Sequence, residues 1–177
     1  MLICRWDGTA ADRIHVTHVG SRERYSFQEH SHGDYMELVY VRHGILEHEI
    51  EGAWQRQSAG TATLLRSGER HALRGERVEY INVSFDSRFL KRLDPDLKAA
   101  LATPGPMVVH LPAARRTLFE ADAESLVAAT NPALRAVLLM QALCAVAATR
   151  LAHVHQQPQC GPPWLARLHA CTLARAT

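Results

Sequence analysis

The stretch EHSHGDYMELVYVRHG, residues 29–44, decides how the 177-residue chain is read. It sets His30 and His32 two positions apart, Glu37 five positions further on, and Gly44 at its end. Residues i and i+2 of a strand point to the same face, so an extended segment through His30 and His32 aims both imidazoles at one point. Gly33-Asp34 is a turn pair that lets the chain reverse, and Glu37 on the returning strand can bring its carboxylate back to that point. A second stretch, GTATLLRSGERH, residues 60–71, offers a fourth group. Gly60 starts a strand, Arg66-Ser67-Gly68 makes a tight turn, and His71 leads out of it toward the same interior. The candidate metal ligands are therefore His30, His32, Glu37 and His71. Three imidazoles and one carboxylate suit a divalent transition metal such as Mn, Fe, Co, Ni, Cu or Zn, and suit Ca or Mg poorly.

Composition narrows the classes. With 47% hydrophobic and 21% charged residues the chain can bury an ordinary core, which excludes global disorder. The net charge of +2 is near balance, and no basic patch of the kind that follows nucleic-acid phosphates stands out. Cys4, Cys144, Cys160 and Cys171 lie far apart without a CxxC pair, which favours free thiols in a reducing compartment. The first residues, MLICRWDGTAADR, lack the apolar run of a signal peptide, and no apolar stretch is expected to reach the roughly 20 residues of a spanning helix. The expected location is cytoplasmic.

The chain changes character near residue 86. Before it, runs such as RIHVTHVG, ILEHEIEG, TATLLRSG and VEYINVSF predict about eight short strands of a sandwich or barrel. In ILEHEI, Leu46, His48 and Ile50 share one face while Glu47 and Glu49 share the other, and EGAW reads as a hairpin turn. Beyond residue 86, SRFLKRLDPDLKAALA and PAARRTLFEADAESLVAAT have helical spacing with a break at Pro95. The clearest helix is NPALRAVLLMQALCAVAATRLAHVH, with Asn131 as N-cap, Pro132 at the first helical position, and Arg135 its one charge before Arg150. A helix apolar nearly all round must be covered on more than one side, either by the following helix and the barrel alone or, as expected here, by a second subunit in a homodimer with Leu134, Leu138, Gln141 and Val146 at the interface. The expected organisation is a β-barrel over 1–86, a helical dimerisation region over 87–155, a Pro/Gly-rich linker over 156–163 (QQPQCGPP, with its first residue, Gln156), and one further helix over 164–177.

Two motifs carry a family resemblance. The pattern HxH, four residues, E, six residues, G, running from His30 to Gly44, resembles the first cupin motif with its spacing intact. Gly60, five residues, a turn residue, Gly68 and His71 resemble the second, with Arg66 at the usual proline and Gly75 at the terminal asparagine. The resemblance implies a mainly β fold with C-terminal helices: a cupin (double-stranded β-helix or jelly-roll) barrel followed by a helical pair. His15, His18, His43, His48, His110, His153, His155 and His169 share no geometry with the quartet and are expected to be solvated or singly bonded.

Three further segments are similar to the sensor domain of AraC-type transcription regulators: the LLR-x-G-x-x-H turn with NVSF after it, the DYMELVYVRHG run, and PPWLARLHA from Pro162. The nearest sub-type is the group regulating chitooligosaccharide use. That resemblance covers roughly residues 14–168 and implies a small effector, a homodimer, and DNA contact through two helix-turn-helix units. These units lie outside the 177 residues, which implies a fragment or a truncated gene product. In a sensor the metal would fix one end of a small effector, expected to be of the sugar class, and strand parity places Tyr35, Val39, Arg66, Tyr80 and Asn82 around it. Arg66 would offer a carboxylate fork or pair with Glu37. The competing reading is a free-standing metal-dependent cupin enzyme, a dioxygenase or isomerase, using open positions on the same metal.

Overall fold

Three long strands carry the molecule. The structure, a computed structural model, describes residues 2–4, 13–102 and 106–156. In chain order the elements are β1 (Leu2–Cys4), β2 (Ile14–His32), β3 (Tyr35–Ile50), β4 (Ala53–Ser58), β5 (Thr61–Leu65), β6 (Arg70–Asp86), a 3-10 turn (Ser87–Arg92), α1 (Pro95–Leu101), β7 (Met107–His110), α2 (Ala113–Ala128) and α3 (Pro132–Gln156). The fold is mainly β with C-terminal helices, a cupin-type jelly-roll barrel.

Fewer and longer strands appear than the expected eight, because irregularities bend a strand without ending it. β2 and β6 pair antiparallel with register shifts between Ser21 and Arg24 and between Phe27 and His30. β3 pairs with β6 with shifts on either side of His43. Gly44 sits in that second irregularity at φ +77°, and a Cβ there would lie 2.3 Å from the Arg77 carbonyl oxygen, so only glycine fits. The hairpin expected at EGAW forms with Glu51 and Gly52 both at positive φ, the primed turn that matches strand twist.

The sheet order is β1-β2-β6-β3-β5-β7, with β4 also on β3. β7 extends the sheet beyond residue 86 by pairing with β5, so the barrel draws on the segment expected to be helical. β3 shows why the fold holds. Met36, Leu38 and Tyr40 point out into a cluster shared with Phe119, Leu126, Leu139, Leu143 and Val146 of the helices. Val39 and Val41 point in and meet Leu46, Ile50, Leu65, Leu73, Val78 and Tyr80 inside the barrel. A strand buried on both faces loses the polar alternation of an exposed one, and Glu37, on the inward side, is enclosed by this packing.

The helices begin as their sequences direct. Asp94 caps α1 through the Asp96 N–H, and Asn131 Oδ1 accepts from the Ala133 and Leu134 N–H groups at the start of α3. Two expectations about α3 change. Its span Pro132–His153, 22 residues with mean hydropathy 1.6, is long and apolar enough to cross a membrane by length and composition, unlike the sequence reading. One face of that span is packed on the barrel, however: Leu139, Leu143, Val146 and Ala147 are fully buried, and Arg135 donates to the Ile14 carbonyl of β2. The proposed interface residues divide accordingly. Leu138 and Val146 lie in the protomer's own core, whereas Leu134 and Gln141 are exposed, with Val137 beside them. Apolarity all round conceals which stripe a helix turns inward. Cys4 and Cys144 are free thiols. The expected linker after Gln156 and the helix over 164–177, with Cys160 and Cys171, lie outside the described residues.

Candidate metal centre

The sheet register gathers the quartet. His30 on β2 stands opposite His71 on β6, and their ring centroids are 4.1 Å apart. His32 lies two residues on, and Glu37 enters from β3 after the turn at Gly33-Asp34. The Ser67 hydroxyl and the Gly68 N–H both donate to the His32 carbonyl, pinning the β5–β6 turn against the end of β2. One ligand atom from each of His30, His32, Glu37 and His71 lies within 4.8 Å of all the others, and all four residues are buried.

The spacing suits a metal. Ligand bonds of about 2.1 Å put neighbouring donor atoms about 3.0 Å apart at right angles and about 3.4 Å apart at tetrahedral angles. His32 Nε2 lies 2.8 Å from His71 Nε2, and Glu37 Oε2 lies 3.4 and 3.3 Å from those two nitrogens. Glu37 Oε2 and His32 Nδ1 are buried without a hydrogen-bond partner. An enclosed carboxylate oxygen without a donor is costly, and a cation at the centre of the quartet would satisfy it.

Protonation favours the same use. Burial alone would raise the Glu37 carboxyl, but the His32 and His71 rings facing it and the Asn82 amide outweigh burial and lower the group to about 2. Burial lowers His71 to about 3 and His48 to about 4, and it lowers His30 as well. At neutral pH the cluster thus presents one carboxylate with His30 and His71 neutral, the protonation state a metal requires.

The same shifts make a stability prediction. Neutral, buried His48 and His71 take up protons more readily when unfolded, so the unfolded state gains protons first as pH falls below about 6.5. Metal-free protein is expected to lose at most about 1.4 kcal/mol per pH unit for each of these two histidines between pH 6.5 and about 4, most steeply near pH 5. Glu37 adds loss in the same direction below its ordinary range. Urea unfolding at pH 8, 6 and 5 in the presence of a chelator checks this, and a midpoint unchanged between pH 8 and 5 would refute it.

The five expected effector residues separate. Tyr35 packs its ring 4.4 Å from that of His32, and the Asn82 side-chain amide donates to Glu37 Oε1 at 2.6 Å. Val39 is the register partner of Asn82 and is fully buried. Tyr80 is buried deeper in the barrel, its hydroxyl donating to Tyr25, and burial followed by that bond raises its ionisation well above the ordinary tyrosine range. Arg66 turns elsewhere: its guanidinium donates to Glu69 and to the Leu101 carbonyl, and the amide that meets Glu37 is that of Asn82. The turn makes the Arg66–Glu69 pair the local choice.

His48 is the residue that sequence reasoning set aside. It is fully buried, with Nε2 3.0 Å from His71 Nδ1 and Nδ1 3.2 Å from Gln57 Oε1. The alternation of ILEHEI already placed it with Leu46 and Ile50 on one face, and that face is the barrel interior.

A family model for the AraC-like ligand-binding domain matches residues 15–143, most of the chain and all four ligand positions. The chain belongs to the AraC-like ligand-binding domain family. Among solved structures, the AraC-like transcriptional activator CuxR is similar at 14% identity, over 79% of this chain and 52% of that one, with a TM-score of 0.57. ToxT from Vibrio cholerae, in its apo form, is similar at 11% identity over 71% of this chain and 51% of that one, with a TM-score of 0.50. A Cupin 2 conserved barrel domain protein from Salinispora arenicola shows 24% identity over 49% of this chain and 74% of that one, with a TM-score of 0.40. The chain spans about half the length of CuxR and of ToxT. No curated protein matches it in sequence.

Proposed function

We propose that the chain is the effector-sensing and dimerisation domain of an AraC-type regulator, and that it binds a small oxygen-rich molecule at a divalent metal held by His30, His32, Glu37 and His71. The observation that carries the metal is the buried quartet, whose donor atoms have the spacing of one coordination sphere around a partnerless carboxylate oxygen. A bound ion would supply positive charge and open positions for hydroxyl or carboxylate oxygens of the effector. Tyr35 and Asn82 adjoin the quartet and would orient what enters: Asn82 by holding Glu37, Tyr35 by flanking His32. Sugars fit this chemistry, and N-acetylglucosamine oligomers are the first to test because of the chitooligosaccharide-regulator resemblance.

The exposed Leu134 and Val137 of α3, with Gln141 beside them, support a homodimer, since apolar side chains left in water on a helix face are a natural seat for a second copy. In this reading DNA contact falls to the helix-turn-helix units that the AraC-type resemblance implies, and the site of action is the cytoplasm. The match to a ligand-binding domain family over residues 15–143 favours sensing over the enzyme reading.

Metal analysis of protein produced without a histidine tag or chelators is expected to give close to one divalent ion per chain, and well below one for His71→Ala. Sugars and sugar acids are then expected to raise the melting temperature of metal-loaded protein and leave metal-stripped protein unmoved. Equal shifts in both would overturn the metal's part in effector binding, and sub-stoichiometric metal in the parent would overturn the site.

A further inference from the structure

A chain of buried polar groups runs outward from His71, away from the quartet. His48 Nε2 lies 3.0 Å from His71 Nδ1, His48 Nδ1 lies 3.2 Å from Gln57 Oε1, and the Thr63 hydroxyl donates to the same oxygen at 3.0 Å. His48, Gln57 and Thr63 are at most 1% exposed, so water does not compete for these bonds. Their strands explain the contact. His48 on β3 is registered with Leu73 on β6 and with Gln55 on β4, which makes His71 and Gln57 its diagonal neighbours on the inward face. Burying an imidazole, an amide and a hydroxyl together inside an otherwise apolar barrel is expensive unless each group has a defined partner.

Each bond in the chain dictates the next. A metal on His71 Nε2 needs a lone pair there, so the proton of the neutral ring must sit on Nδ1. That N–H must be accepted, and His48 Nε2 is placed to accept it. His48 Nε2 can accept only if the proton of His48 is on Nδ1, and Gln57 Oε1 is placed to receive that one. With Oε1 on this side of Gln57 the Thr63 hydroxyl donates to it as well, and the amide Nε2 is left buried without a partner. One arrangement of protons from Thr63 to His71 is therefore compatible with a metal at the quartet.

We infer that His48, oriented by Gln57 and Thr63, is a positioning residue that keeps the proton of His71 on Nδ1 and so presents the Nε2 lone pair of His71 to the metal. Metal-bound histidines generally donate their other N–H to an acceptor that fixes the ring and raises its basicity. Here the acceptor is a second imidazole, itself fixed by a side-chain amide. The inference rests on the metal reading of the quartet and assigns to His48, Gln57 and Thr63 a role that reading does not require.

The test uses zinc, which is diamagnetic, and the whole 177-residue chain. Long-range nitrogen–proton correlation spectra of the zinc-loaded parent are expected to show both His71 and His48 as Nδ1–H tautomers. His48→Ala and Gln57→Leu are expected to bind zinc about 10- to 100-fold more weakly than the parent in chelator competition. Gln57→Glu, which keeps an acceptor for the His48 N–H, is expected to bind within a few-fold of the parent or more tightly. A His48 proton on Nε2 in the zinc-loaded parent would overturn the inference even if the variants fold poorly. So would unchanged zinc affinity in a folded His48→Ala protein, while leaving the quartet itself standing. Failure of the parent to bind zinc would instead overturn the metal reading, and the role given to His48 with it.

Discussion

Changing Glu37 to Gln is expected to weaken divalent-metal binding by more than 100-fold while the chain still folds. Glu37 is the one anionic member of the quartet, and its Oε2 is the buried oxygen without a donor. Losing a supporting residue beside a metal costs roughly 10- to 100-fold in affinity, and losing the charged ligand itself removes more. The amide is nearly isosteric, and its oxygen can still accept from Asn82, which now donates to Glu37 at 2.6 Å, so the barrel has no packing reason to fail. The effect is readable as stability. Metal at about 1,000 times its dissociation constant adds about 4 kcal/mol to whatever binds it in the folded state only. For a chain of this size that is about 8–16 °C in melting temperature. Glu37→Gln at the same metal concentration, with affinity 100-fold weaker, would gain only about 1.4 kcal/mol, or less than about 6 °C. Calorimetric scans with and without zinc measure both numbers, and equal shifts in parent and variant would remove Glu37 from the coordination sphere.

The part of this site that could be read from sequence is the part set by local geometry. His30 and His32 needed only the two-residue period of a strand, and Glu37 needed only the Gly33-Asp34 reversal. His71 needed the tight turn at Arg66-Ser67-Gly68, which the Glu69 N–H closes on the Arg66 carbonyl and which Ser67 and Gly68 tie to the His32 carbonyl. His48 was harder because its role depends on diagonal contacts among three strands. Those registers pass through irregularities around His43 that the sequence does not announce. Its inward parity was visible, but its neighbours were not. Arg66 illustrates the opposite error. Its position beside a ligand motif suggested a pocket, yet a carboxylate three residues away and a helix carbonyl claim its guanidinium. The strand count went wrong for the reason that hid His48: bulged strands bend around the barrel, and composition alone reads each bend as an end.

α3 tests the same point on a larger scale, since its sequence is apolar on every side and its two faces have opposite fates. Leu138→Glu is expected to unfold the protein rather than separate a dimer. Leu138 is 7% exposed and belongs to the cluster joining the sheet to the helices, so the change removes a packed leucine and buries a carboxylate. Core leucine truncation costs about 2–5 kcal/mol, and an unpaired buried charge adds to that. Together these approach the whole stability of an ordinary domain, about 5–15 kcal/mol. The double variant Leu134→Glu, Val137→Glu is expected to behave differently. Those side chains are 48% and 55% exposed, and surface changes of this kind usually stay within about 0.5 kcal/mol each. If the proposed homodimer brings this ridge onto its own copy across a two-fold axis, two glutamates there place like charges opposite one another and leave them desolvated. Sedimentation should therefore find the double variant monomeric with a urea midpoint close to the parent's, and Leu138→Glu aggregated or unfolded. A double variant that sediments as the parent dimer would move the interface to another surface. A folded, dimeric Leu138→Glu would mean that the inward stripe of α3 is not the one that closes the barrel.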